Sequence, residues 1–138
     1  MADYTLSITT ERPYEETVAA VREQLAEAGF GVLTEIDLKA TLKKKLDVDV
    51  APQVILGACR PELAHQALQA EPSIAALLPC NVVVRSLGAT TTMVEAFDPA
   101  VMTSFAGESS EALRAVSEDA RTRLSAALAA VAALEAGQ

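Results

Sequence analysis

The most reactive side chains in this sequence are the thiols of Cys59 and Cys80. Cys59 closes an apolar run and stands directly before Arg60-Pro61, where a helix is expected to begin. A thiolate there would be favoured by Arg60 and by the helix N-terminus, which carries about half a positive charge. Cys80 follows Pro79 and precedes Asn81-Val82-Val83-Val84, so it is expected at a sheet edge or rim. Whether the two thiols meet depends on topology. Antiparallel third and fourth strands would bring both to one end of the sheet, whereas a right-handed crossover would place them at opposite ends. Thiolate and thioether suit soft metal ions, so Cys59, Cys80 and either Met93 or Met102 could form such a site. No CxxC or HxxxH spacing supports it. The plain alternative is that both cysteines are small buried apolar residues.

The other candidates are weaker. His65 is the sole histidine, and on a helix starting at Pro61 it lies about 200° around from Leu63, away from the apolar stripe. Glu35, Asp37 and Lys39 group at a strand–helix junction, where Glu35 and Lys39 could pair or Lys39 could receive an anion. Asp37 also suits helix capping. Asn81 heads a strand, and Arg85 sits beyond three valines, within reach of an acidic partner. The run Lys43-Lys44-Lys45 reads as a solvated face screened by Asp47 and Asp49. There is no nucleophile elbow and no Gly-rich loop to cradle a phosphate.

These residues must be positioned by regular elements. Tyr4 to Thr10 alternates with period 2 and predicts a strand. Pro13 suits a helix start, Val18, Val21, Leu25 and Ala28 follow at helical spacing, and Gly29 is placed to end the helix. A second strand is expected from Phe30 to Ile36, then a short helix capped by Asp37 with Leu38, Leu42 and Leu46 as a narrow apolar stripe. Gln53 to Cys59 predicts a third strand, and Val54-Ile55-Leu56 suggests that both of its faces are covered. A helix from Pro61 stops at Glu71-Pro72, and Ser73 to Leu78 adds a turn. Asn81 to Arg85 and Thr90 to Phe97 predict an antiparallel hairpin linked around Leu87-Gly88-Ala89. Asp98-Pro99 opens a short helix over Ala100 to Phe105, which Gly107 interrupts. A long helix then runs from about Ser110 to Leu134, with Leu113, Val116, Ala120, Leu124, Ala127, Val131 and Leu134 as its stripe. The fold class expected is α+β: a two-layer sandwich with one mainly antiparallel sheet of about five strands covered by helices.

Composition narrows the function. Of 138 residues, 19 are acidic and 11 basic, a net charge of −8, and 51% are hydrophobic. That apolar fraction is too high for a disordered chain, and the length predicts a single domain over 1–138. The longest apolar run, Ala126 to Leu134, is far shorter than the roughly 18 residues of a membrane span. Met1-Ala2-Asp3 does not resemble a secretory leader, so a cytoplasmic setting with reduced thiols is expected. The acidic balance speaks against nucleic acid as a partner.

Three segments taken together have a familiar order and spacing: Thr34 to Lys43, Gly57 to Ala64, and Leu77 to Val84. They resemble the bacterial family known as domain of unknown function 302, over almost the whole chain and most strongly from Phe30 to Phe97. The resemblance implies a TATA-binding-protein-like α+β fold, often found as a dimer, and carries no established activity. A shape of that kind does not imply DNA binding. The family tends to place Asn as the helix cap where this chain has Arg60, which implies a weaker cap here. Its Leu-Pro-Cys pattern makes Cys80 the first candidate for a functional residue. The reading adopted is a small-ligand or metal-ion binding module, with Cys80, Asn81, Cys59, Lys39 and Glu35 around the site and its cofactor unknown. The alternative is a homodimeric assembly domain, working through a strand edge or the Ala-rich final helix. A thiol enzyme has the least support, because no base is placed by any recognisable spacing.

Overall fold

Short-range chemistry sets where each element begins and ends. In the computed structural model, which describes residues 3–106 and 111–134, strand β1 (Thr5–Thr10) leads into helix α1 (Tyr14–Glu27). The Pro13 carbonyl accepts from the Thr17 backbone N–H at 3.0 Å and from its hydroxyl at 2.9 Å, closing the first turn. Gly29, with φ of +94°, ends α1 in a conformation that L side chains rarely adopt. Strand β2 (Gly31–Asp37) passes into α2 (Leu38–Leu46), and the Asp37 carboxylate caps α2 by accepting from the Ala40 N–H at 2.9 Å. Strand β3 (Gln53–Cys59) is followed by α3 (Pro61–Ala70) and a 3₁₀ turn (Pro72–Leu77). Arg60 at the head of α3 makes no side-chain capping bond. Strands β4 (Cys80–Ser86) and β5 (Thr92–Phe97) form the hairpin, and α4 (Val101–Ala106) and α5 (Glu111–Ala133) complete the fold. The expected break at Gly107 and start at Ser110 lie outside the described residues.

The sheet has the order β1-β5-β4-β3-β2 with every neighbouring pair antiparallel. Its covered face carries Val54, Leu56, Ala58, Val82, Val84, Val94 and Ala96, packed with Leu25 of α1 and Leu124, Leu128 and Val131 of α5. A second cluster joins Leu63 and Ala67 of α3, Ile74 of the 3₁₀ turn, Met102 of α4, and Leu113, Val116 and Ala120 of α5. Helix α5 therefore supplies both clusters along one continuous stripe.

Three expectations change. Cys80 is not ahead of its strand but is its first residue, opposite Ala58. Strand β3 is buried on one face: Val54 and Leu56 are core residues, while Ile55 on the other face is half-buried. A half-buried apolar strand looks the same in sequence as one covered on both sides. The Leu38-Leu42-Leu46 stripe of α2 reaches no core: the helix buries none of its residues and Leu46 is 65% exposed. Four-residue spacing reports which residues share a helix face, not whether anything packs against it.

Close approach of β2, β3 and the Pro79 turn leaves no space at Gly57. A Cβ there would stand 2.2 Å from the Thr34 hydroxyl oxygen and 2.8 Å from Pro79 Cγ. Gly57→Ala should therefore lower stability by about 1–3 kcal/mol, the usual cost of overpacking. Gly88→Ala, where a Cβ would meet nothing within 4 Å, should change it by less than about 0.5 kcal/mol. Denaturant unfolding of both variants checks this, and equal midpoints would remove the steric argument.

Candidate functional site

The antiparallel pairing of β3 with β4 sets Ala58 opposite Cys80, one residue before Cys59. Both cysteines consequently lie at the same end of the sheet and are among the residues that line one cavity, although Cys59, next to Ala58, alternates to the face opposite Cys80. Both are free. The cavity occupies the seam between the two apolar clusters: Phe30, Ala58 and Cys80 come from the sheet side, and Leu63, Met102 and Val116 from the helical side. Arg60 and Leu78 also line it. Its interior is about 30 Å³, and about 360 Å³ including its mouth and the solvent in front. The smaller figure decides what fits inside: a few heavy atoms or one ion, not an organic cofactor, whose sites run to roughly 300–1,000 Å³.

Burial, not activation, governs these thiols. Burial pushes the Cys80 pKa up to about 11 from the ordinary 9.0, and the nearby Cys59 charge pushes in the same direction. Burial also raises Cys59. The thiolate-favouring effect expected from the α3 N-terminus and Arg60 is thus outweighed by desolvation. The lining contains no carboxylate, imidazole or amine that could accept a thiol proton. Arg60, its one ionised side chain, reaches Glu62 at 3.7 Å through Nη1, while its Nε is buried without a hydrogen-bond partner.

Glu35, Lys39 and Asn81 are not brought to this cavity. Glu35 pairs with Arg22 of α1 and borders a separate shallow groove with Tyr14, Asp37 and Val54. Burial, then Asp37, Glu35 and Glu15 in that order, raise the Tyr14 pKa in this groove. Lys39 Nζ donates to the Val50 carbonyl at 3.0 Å, so its recorded bond is to the chain and not to Glu35. Asn81 alternates away from Cys80 onto the opposite sheet face, in a groove with Tyr4, Thr5, Val83, Glu95 and Phe97. Adjacent residues of a strand point to opposite faces, which separates Cys80 from Asn81. His65 is exposed. Met93 is also absent from the cavity, and its sulfur accepts from Arg85 Nη2 at 2.9 Å. Among the described residues no group of three or more His, Cys, Asp and Glu could hold a metal ion.

Met102 does line the cavity with both cysteines, whereas Phe30, Leu63, Leu78 and Val116 were not expected at the site from sequence. Nothing in their spacing marks them, because the cavity is assembled from five separate parts of the chain. No helix is long and apolar enough to cross a membrane among the described residues.

A profile of the family described as "Domain of unknown function DUF302" matches residues 6–131. The chain is also similar to a solved structure, the crystal structure of uncharacterized conserved protein DUF302 from Bacillus stearothermophilus. The TM-score is 0.81 at 28% sequence identity, covering 93% of this chain and 98% of that one. No curated protein matches the sequence.

The raised Cys80 pKa makes stability depend on pH in a definite direction. Between the ordinary value of 9.0 and about 11, the folded protein keeps a proton that the unfolded chain gives up. Folding then binds protons, and stability falls as pH rises through this window, by about 2–3 kcal/mol in all. Subtracting the unfolding free energies of Cys80→Ala from those of the natural chain isolates this slope from other groups. A difference that stays constant from pH 8.5 to 11 would count against a buried, protonated Cys80.

Proposed function

The chain belongs to the DUF302 family, and from that premise we propose that it is a binding module for one very small ligand or one metal ion, held at Cys59 and Cys80. One observation carries this reading: Cys59, Cys80 and Met102, from three separate parts of the chain, are all among the residues that line one apolar cavity at the seam of two cores. An apolar lining gives a ligand shelter from water but few hydrogen bonds, so selectivity rests on size and on sulfur. Thiol catalysis is the poorer reading, since a buried thiol with no neighbouring base is a weak nucleophile.

A second reading, homodimeric assembly, is favoured by the sheet face opposite the helices. Half-buried Ile55, Val83, Met93 and Phe97 lie there with Ile36, which is 45% exposed. The charged strand residues on this side are Arg85 and Glu95, which pair at 3.4 Å, and Thr5 also donates to Glu95 at 2.9 Å. On a chain of net charge −8, this face is locally neutral, so a second copy can approach it without like-charge repulsion. Five strands spaced about 4.8 Å apart give a face of roughly 24 by 20 Å, so two copies would bury roughly 960 Å² in all, in the weak, transient class of interface below about 1,200 Å². The Ala-rich α5 is a poorer route, because its stripe is buried inside the molecule.

Native mass spectrometry of the reduced protein as isolated tests the first reading. The expected result is a bound mass that disappears in Cys80→Ser. Bare polypeptide, combined with a thermal midpoint that no added ion or small solute raises, would overturn it. Sedimentation at micromolar concentration tests the second: a dimer that Val83→Arg converts to monomer is expected, and a monomeric natural chain would refute assembly.

A further inference from the structure

We infer that α2 is a docking arm, which packs against a second copy of the chain and extends the contact between the two open sheet faces. The inference rests on the assembly reading and adds the element that turns a weak encounter into a stable pair. Helix α2 joins the edge strand β2 to β3 and neighbours both, so it flanks the sheet at its β2 margin. It stands outside the helical layer. It buries none of its residues, and Leu38, Leu42 and Leu46 belong to neither apolar cluster. A helix of nine residues is too short to be stable on its own strength, since isolated helices below about 12 residues are marginal in water. Its leucine stripe is therefore a packing surface without enough to pack on.

The exposed apolar surface is concentrated in the same place. Among the described residues seven large apolar side chains are exposed, and four of them, Leu33, Ile36, Leu46 and Val48, fall in β2, in α2 or just beyond. Ile36 is opposite Ile55, so it belongs to the open face, and it precedes Leu38 by two residues. The apolar patch of the face thus continues along the chain into the α2 stripe. Area then selects the partner. The sheet faces alone bury roughly 960 Å² between two copies, short of the roughly 1,200 Å² at which stable pairs begin. Nine residues of helix are about 13.5 Å long and about 10 Å wide, a footprint of about 135 Å². A two-fold pair makes this contact twice and hides it on both partners each time, which adds about 540 Å². The total of about 1,500 Å² lies within the standard size of a specific interface.

Charge selects the same partner. Helix α2 carries four lysines and no carboxylate, so on a chain of net −8 the residues outside it carry −12. Lys39 is held by the Val50 carbonyl, and Lys43 pairs with Asp47 and Asp49. Lys44 and Lys45 are exposed and make no hydrogen bond or ion pair with the described residues. A second copy offers these two cations the acidic surface that their own chain does not bring to them.

The test is sedimentation of the full chain over a concentration series, beside Val83→Arg, Leu46→Ser and the double variant Lys44→Glu with Lys45→Glu. The natural chain is expected to dimerise. Leu46→Ser, which disturbs no core residue, should raise the dissociation constant by about 100-fold, because a two-fold pair feels each substitution twice. The double charge reversal should raise it by about 10-fold or more at low salt and by less at high salt. Circular dichroism checks that each variant is folded. Hydrogen exchange of the natural chain needs no substitution: the α2 amides should become protected as concentration rises. A natural chain that stays monomeric up to near-millimolar concentration would remove the assembly reading and the arm with it. A dimer that Val83→Arg splits, but that Leu46→Ser and the charge reversal leave unchanged, would overturn the role of α2 alone. So would a dimer whose α2 amides exchange equally fast at every concentration.

Discussion

The pairing of β3 with β4 is the constraint on which the rest of the molecule depends. Val54 opposite Val84, Leu56 opposite Val82 and Ala58 opposite Cys80 put six apolar side chains on one face of two neighbouring strands. Because side chains alternate, a slip of one residue would turn all of one strand's set toward the open face. Those residues are nearly all fully buried, and each contributes on the order of 1.5–3 kcal/mol for the larger side chains. The register is thereby fixed by burial, and the proximity of the two cysteines follows from the register.

Helix α5 converts this sheet into a molecule with a seam. Its C-terminal half, with Leu124, Leu128 and Val131, packs in the sheet cluster, and its N-terminal half, with Leu113 and Val116, packs in the cluster with α3 and the 3₁₀ turn. Two well-filled cores that share one helix meet along a line where neither fills the space completely. The cavity that Cys80 and Met102 border lies on that line. Arg60 fits the same picture. It makes no cap for α3, and its guanidinium lies against Gly29, where a Cβ would stand 2.5 Å from Nη1. The side chain at the capping position of α3 thus seals the end of α1 and borders the cavity at once.

Most of the architecture could be read from residue patterns. Period-2 alternation located β1, the spacing of Val18, Val21 and Leu25 located α1, and the stripe from Leu113 to Val131 located α5. Asp37 and Asp98 acted as helix-start residues through the bonds that their chemistry anticipates, to Ala40 and Ala100. What sequence could not supply was spatial order. It left antiparallel and crossover placements of β3 and β4 open, and with them the relation of Cys59 to Cys80. It grouped Asn81 with Cys80 because they are neighbours in the chain, although a pleated strand sends them to opposite faces. It also grouped Glu35 and Lys39 with the cysteines, yet β2 carries Glu35 toward Arg22 on α1. For the thiols, the charge effects of Arg60 and a helix end are visible in sequence beside the alternative of plain burial, but the size of the desolvation that decides between them is not.

The sheet order also governs how the chain can reach this structure. Strand β1, at the N-terminus, hydrogen-bonds to β5, the final strand, with Thr5 opposite Phe97. The strands β2 to β5 pair with sequence neighbours, but β1 has no partner until nearly the whole sheet has been made. During synthesis the first of the five strands to emerge is therefore the last to be paired, and its free backbone edge waits until β5 has been made. Closing so long a loop costs entropy before any contact repays it, which places the slow step of folding at the docking of β1. A chain truncated before Thr92 would lack that partner altogether, and would expose β4 as well as β1 as open edges to other chains.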